Sequence, residues 1–132
     1  MLRVKTRIGK SDLHGIGLFA AQFIPKGTVT WQFDSEFDTA FTKEQVDRMP
    51  EHGRVIFLHY HYYDPDWGYV LCADDQRFIN HAENPQHRNI SSTPTGDVAA
   101  RDIKEGEELL TDYNAFDPGY FDRIGLNTAK LK

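Results

Sequence analysis

A mainly β domain built from short strands is what this sequence predicts, and three observations carry the prediction. Apolar and polar residues alternate at the N-terminus and again over residues 28–33. Pro- or Gly-containing turns follow several of the short apolar runs, at Ser11 to Gly17 and at Ile24 to Gly27. One strand–turn pattern occurs twice, as AAQFIPKG (Ala20 to Gly27) and AARDIKEG (Ala99 to Gly106), with four of eight positions identical. Two copies are too few for a solenoid.

The elements follow in chain order. Leu2, Val4 and Ile8 face one way and Arg3, Lys5 and Arg7 the other, the signature of a half-buried strand. A turn spans Ser11 to Gly17, and Leu18 to Ala21 is a second strand. Ile24-Pro25-Lys26-Gly27 is a turn, because Pro presets φ and Gly accepts positive φ. Val29, Trp31 and Phe33 alternate with Thr28, Thr30 and Gln32, which predicts a third strand. Thr42 with Gln45 forms a capping-box pattern that opens a short helix over Thr42 to Met49, closed by Pro50. Val55 to Tyr63 is dense in aromatics and fits helix or strand. Asp64-Pro65-Asp66 is a turn, and Tyr69 to Cys72 a buried strand. Residues 73–96 read as polar and irregular, a length that in a compact domain usually serves function. Val98 to Ile103 and Glu107 to Tyr113 read as two more strands about Gly106.

Composition narrows the function classes. The 132 residues predict one domain, and 39% apolar with 27% charged residues predicts a globular one. Cys72 is the only cysteine, which excludes an internal disulfide framework and a Cys-rich zinc cluster. The net charge of −5 disfavours phosphate backbones and suits a basic partner, although solubility alone also explains it. The basic stripe Arg3, Lys5, Arg7 and Lys10 reads as the solvated face of an edge strand. With no membrane-length apolar run and no secretory leader pattern, the expectation is an intracellular protein that touches neither membrane nor nucleic acid, cytoplasmic if bacterial.

Three segments could carry chemistry. In HGIGLFA, from His14 to Ala20, Gly15 and Gly17 would let a backbone approach a ligand closely; taken alone the segment reads as a plain turn. In RFINHAENPQHRNI, Asn80 carries an amide that both donates and accepts. By themselves Asn80 reads as a loop staple and His81 as a satisfied imidazole. In GEELLTDYN, Tyr113 ends a strand, and alone it reads as a core aromatic with its hydroxyl at the surface. His59 and His61 form an HxH pair, a metal-ligand geometry if both lie on one strand face, with His52, His81 and His87 as further candidates.

Together and in this order the three segments resemble the SET-domain protein lysine methyltransferases. The family pattern of GxG, RFxNHxxxxN and GEELxxDY stands here as Gly15-Ile16-Gly17, as Arg77 to His81 with Asn89 somewhat later, and as Gly106 to Leu109 through Asp112-Tyr113. The resemblance covers roughly residues 3–116 and is to minimal bacterial and viral members without flanking zinc modules.

The resemblance implies a β-clip of short curved sheets with a pseudoknot and one or two short helices. It implies a single domain over 1–132, with the motif-bearing core at about 3–116 and a tail at 117–132 free to cover cofactor or substrate. It implies S-adenosylmethionine as cofactor and a lysine-containing protein or peptide, a histone tail or another basic protein, as substrate. His14, Gly15, Ile16 and Gly17 would hold the methionine part, Asn80 its amino end, and the main chain at His81 the adenine. Phe116, Tyr120 or Phe121 would cover the adenine. Tyr113 would stand where the cofactor pocket meets the lysine channel, and Tyr60, Tyr62 and Thr111 would line that channel. Thr111 stands where many members carry Phe or Tyr. A second copy of the chain could bury some of the aromatics. The rival expectations are a non-catalytic module that binds a basic peptide, and a histidine metal site.

Overall fold

The computed structural model describes residues 1–93 and 95–125; residues 126–132 of the expected tail, and Pro94, lie outside the described residues. Four small sheets and a few short helices make up the described chain.

β1 (Thr6–Lys10) pairs antiparallel with β2 (Ile16–Ala20), from Thr6 opposite Ala20 to Lys10 opposite Ile16. The turn between them is organised by Ser11, whose Oγ accepts from the N–H groups of Leu13 and His14. Gly15 completes the turn at φ 49°, a region that L side chains avoid. The strand begins later than the alternation predicts, and Ile8 is 46% exposed. Leu2 instead bridges to Trp31 in the next strand, and its N–H donates to Asp74.

β3 (Val29–Gln32) departs from its predicted alternation: Val29 is 44% exposed and Thr30 is buried. The cause is a register shift between Val29 and Trp31 against the partner strand, which turns Thr30 inward. β4 (Thr39–Phe41) leads to α1 (Lys43–Asp47), where both halves of the Thr42–Gln45 capping box form. α2 (Glu51–Tyr60) follows directly after Pro50, so the aromatic segment is helical up to Tyr60 and becomes β5 (Tyr62–Asp64) only after His61. β6 (Gly68–Leu71) pairs with both β4 and β5.

Residues 73–96 are more ordered than their polarity predicts. They hold 3₁₀ turns at Asp75–Phe78 and Pro85–His87, the two-residue β7 (Asn80–His81), and β8 (Ile90–Thr93). β9 (Gly96–Ala99) lies between β3 and β8. β10 (Leu110–Thr111) runs parallel to β7, Leu110 opposite Asn80 and Thr111 opposite His81. A 3₁₀ turn at Tyr113–Ala115 and the short helix α3 (Tyr120–Arg123) end the described chain, so there are more helices than the one or two expected.

The two copies of the repeated pattern meet. Ile24 and Ile103 exchange N–H···O bonds at 2.8 Å, Gly27 N–H donates to Ala99 O, and Gly106 N–H donates to Ala20 O. Gly27 and Gly106 stand at φ 85° and 93°. The repeat is thus a local two-fold arrangement, and its Ala20, Ile24, Ala99 and Ile103 belong to the main apolar cluster with Leu18 and Leu109. A second cluster, Trp31, Tyr62, Val70 and Cys72, lies beside Phe33 and Phe116.

Candidate active site

The chain crosses itself at the site. Residues 108–111 run between β7 and Asn89. Asn89, 1% exposed, donates through Nδ2 to Glu108 O at 2.8 Å and accepts through Oδ1 from Leu110 N–H at 2.8 Å. Ala82 N–H donates to Thr111 O on the other side. This threading brings Asn80 and His81 against Tyr113 across more than thirty residues of sequence.

The two hydrogens of Asn80 Nδ2 are shared among three acceptors, His14 O at 2.9 Å, Ile16 O at 3.1 Å and Glu108 Oε1 at 3.0 Å. The amide therefore ties the β1–β2 turn to β7. Glu108 closes the same knot by accepting from Ser11 Oγ at 2.9 Å. Gly17 lies under that carboxylate: a Cβ there would stand 2.2 Å from Glu108 Oε1. Gly17 thus makes room for Glu108, a residue that sequence reasoning passed over because its partners lie far along the chain.

His81 Nδ1 accepts from Tyr113 N–H at 3.1 Å, which places the ring proton on Nε2. Nε2 is buried without a hydrogen-bond partner, with Glu83 Oε1 3.4 Å away. Burial holds the imidazole below its usual pKa. Arg88 bridges Asp112 at 2.7 Å and Ala82 O at 2.7 Å, which locks the turn that presents Tyr113. The Tyr113 hydroxyl donates to Ile79 O, and burial drives its pKa well above the ordinary phenol value.

Two cavities flank Tyr113. The larger, about 470 Å³, is bordered by the Gly15 turn, by Asn80 and His81, and by Phe121 and Ile124. Its size falls within the usual range of small-molecule sites, about 300–1,000 Å³. The narrower, about 50 Å³, is bordered by Trp31, Tyr62, Cys72, Gln76, Asp97 and Phe116 among others. Tyr60, Tyr113 and Tyr120 border both.

The expected site residues divide accordingly. His14, Gly15, Ile16, Asn80 and His81 border the larger cavity. Gly17 does not, for the reason given above. Phe116 lies on the far side of Tyr113, against Tyr62, and borders the narrow cavity, whereas Tyr120 and Phe121 border the larger one. Tyr60 and Tyr62 both border the narrow cavity, but from a helix end and a strand start rather than from one strand face. Thr111 borders neither cavity: it is buried, with Oγ1 2.6 Å from Ser92 Oγ, because the threading turns it into the sheet interface.

The HxH pair does not form a strand-face ligand set, since His59 is helical and His61 follows the helix. His61 Nδ1 donates to Leu58 O and Nε2 accepts from Arg123 Nε at 3.1 Å. Among the described residues no group of three potential metal ligands occurs.

Comparison with known proteins identifies the family and the fold. Against protein-family models, residues 15–114 match the one described as SET domain. Solved structures of Polycomb Repressive Complex 2 are similar. An apo form carrying two substitutions in Ezh2 is 26% identical at TM-score 0.66, over 91% of this chain and 16% of that one. A humanized mutant of the Chaetomium thermophilum complex with an inhibitor is 28% identical at TM-score 0.63, over 90% and 16%. An autoinhibited form bound to S-adenosylmethionine is 25% identical at TM-score 0.63, over 92% and 16%. The chain spans about one sixth of the length of those chains. No curated protein sequence matches it.

Proposed function

The chain belongs to the SET-domain family, and from that premise we propose that it transfers methyl groups from S-adenosylmethionine to the side-chain amine of lysine in a protein, a histone tail or another basic partner. The observation that carries this reading is Tyr113, standing between a cavity of small-molecule size and a narrow one walled by aromatics.

The larger cavity suits the cofactor. Gly15 puts no side chain at the tip of its turn, Asn80 holds that turn rigid through the carbonyls of His14 and Ile16, and His81 borders the cavity on the side we assign to the adenine. When bound, the cofactor supplies an electrophilic methyl on a sulfonium, so no acid is needed to expel the leaving group.

The residues of the chain then have two tasks. Tyr60, Tyr62 and Phe116 hold the aliphatic stem of the lysine, and their apolar surroundings favour the neutral amine that attack requires. Tyr113 is a donor to a carbonyl with a raised pKa, which makes it an orienting group and not the base. In-line displacement depends on such alignment.

Calorimetric titration with S-adenosylmethionine tests the reading. Stoichiometric binding is expected, and weakening by Asn80→Ala in a variant with an intact circular dichroism spectrum. Transfer of labelled methyl to a histone mixture should fall on the order of 100-fold in Tyr113→Phe while cofactor binding persists. No binding at millimolar cofactor would favour the non-catalytic peptide-binding module, and full turnover by Tyr113→Phe would remove that side chain from the mechanism.

A further inference from the structure

The narrow cavity contains a group that aromatic walls around an alkyl stem do not require. Asp97 occupies an inward position of β9 and is 3% exposed. Its Oδ2 accepts from Gln76 Nε2 at 2.6 Å, and Ser92 stands directly opposite it in the β8–β9 register. No Lys or Arg among the described residues pairs with it. Arg77 borders the same cavity but gives its guanidinium to the carbonyls of Asp74 and Ala73. A buried carboxylate without a cation is costly, so its place in a cavity wall needs a reason.

A second observation concerns Trp31, directly opposite Asp97 in the β3–β9 register. Its indole Nε1 is buried with no partner in the protein, and Trp31 borders the same cavity. The cavity thus combines a carboxylate lacking a cation with aromatic surfaces from Trp31 and Tyr62 that meet edge to face at 6.2 Å, the indole N–H reporting on the cavity rather than binding the ammonium. Aromatic faces and one carboxylate together recognise an alkylammonium. A neutral alkyl chain gains nothing from the carboxylate.

We propose that Asp97 is the counter-ion for the substrate's ammonium, drawing a protonated lysine side chain into the narrow cavity beside Tyr113 and rejecting uncharged side chains of the same length. The inference rests on the lysine-methylation reading and adds to it the residue that selects a cation. Asp97 holds the ammonium as it enters; the proton passes to water before the neutral amine reaches the methyl beside Tyr113, and Asp97 takes no part in bond making.

The test uses n-butylammonium chloride, which is the lysine side chain alone, and n-butanol as its neutral counterpart. Each is titrated into ¹⁵N-labelled protein while the Trp31 indole resonance is followed, with Trp31→Phe to assign it against Trp67. A saturable shift is expected with the ammonium and a much weaker response with the alcohol. Asp97→Asn should weaken the ammonium roughly tenfold or more, the equivalent of about 1.4 kcal/mol. Equal responses to the two ligands in the unsubstituted protein overturn the proposal, and that comparison needs no variant to fold. Equal ammonium binding with and without the carboxylate overturns it as well. S-adenosylhomocysteine binding, measured by calorimetry on the same samples, separates the two levels: its absence in the unsubstituted protein defeats the methyl-transfer reading, while the ammonium comparison still decides the role of Asp97.

Discussion

Glu108 is held by three contacts that lie far apart in the chain. Ser11 Oγ and Asn80 Nδ2 donate to its carboxylate, and Gly17 leaves the space in which that carboxylate sits. Gly17→Ala would drive a Cβ to within 2.2 Å of Oε1 and 2.8 Å of Cδ. The side chain must then swing away and lose both hydrogen bonds, at a cost of about 1–3 kcal/mol. Removing the carboxylate first, by Glu108→Ala, should make the added methyl nearly harmless. A double-mutant cycle in urea measures this as coupling between the two positions. Additive effects would mean that Gly17 is present for another reason.

The repeated pattern permits a similar argument for elements. Its two copies pair about Ile24 and Ile103 with matched bonds, and each ends on a glycine at positive φ where an added Cβ would meet nothing within 4 Å. Alanine at either glycine meets no clash, so only backbone strain remains, and Gly27→Ala and Gly106→Ala should each cost about 1–2 kcal/mol. Denaturant midpoints with unchanged slope would check this, and clearly unequal losses would break the inferred symmetry. The same scale shows what could be read in the sequence. Local signals held: the Thr42 capping box needs only neighbours three residues apart, and it forms. The three motif segments could be read because their residue types and order are themselves the signal. Orientation set by distant partners could not be read. The register shift opposite β9 inverted Val29 and Thr30, the helix end at Tyr60 separated it from Tyr62, and the threading of β10 beside β7 turned Thr111 away from both cavities. Asp97 gave no signal, being an ordinary acid in a turn-to-strand segment until the sheet buries it.

Across the whole molecule, α3 joins the two cavities, because Tyr120 borders both and Phe121 borders the larger. It is fastened at its last residue: Arg123 bonds Asp117 and donates to His61 Nε2. His61 is itself stacked between Phe57 and Tyr69 at ring separations of 5.6 Å. The clasp works only while His61 is neutral, since a protonated Nε2 has no lone pair for Arg123 and adds a charge beside it. Burial, opposed by the Leu58 carbonyl and reinforced by Arg123, lowers the pKa of His61 to about 4 from 6.5. A group whose folded pKa is depressed contributes stability above its unfolded pKa and loses it as the pH falls toward the folded one. His61 should therefore contribute fully above pH 6.5 and lose roughly 3 kcal/mol on acidification to about pH 4. Other groups titrate in the same range, Asp97 among them, its carboxyl raised to about 6 by burial with the opposite effect. The informative quantity is the difference in unfolding free energy between the unsubstituted protein and His61→Gln. That difference should shrink by roughly 3 kcal/mol between pH 7 and pH 4. If it stays constant, His61 is not the acid-sensitive fastening of α3, and the roof of the two cavities is held by Tyr120 and Asp117 alone.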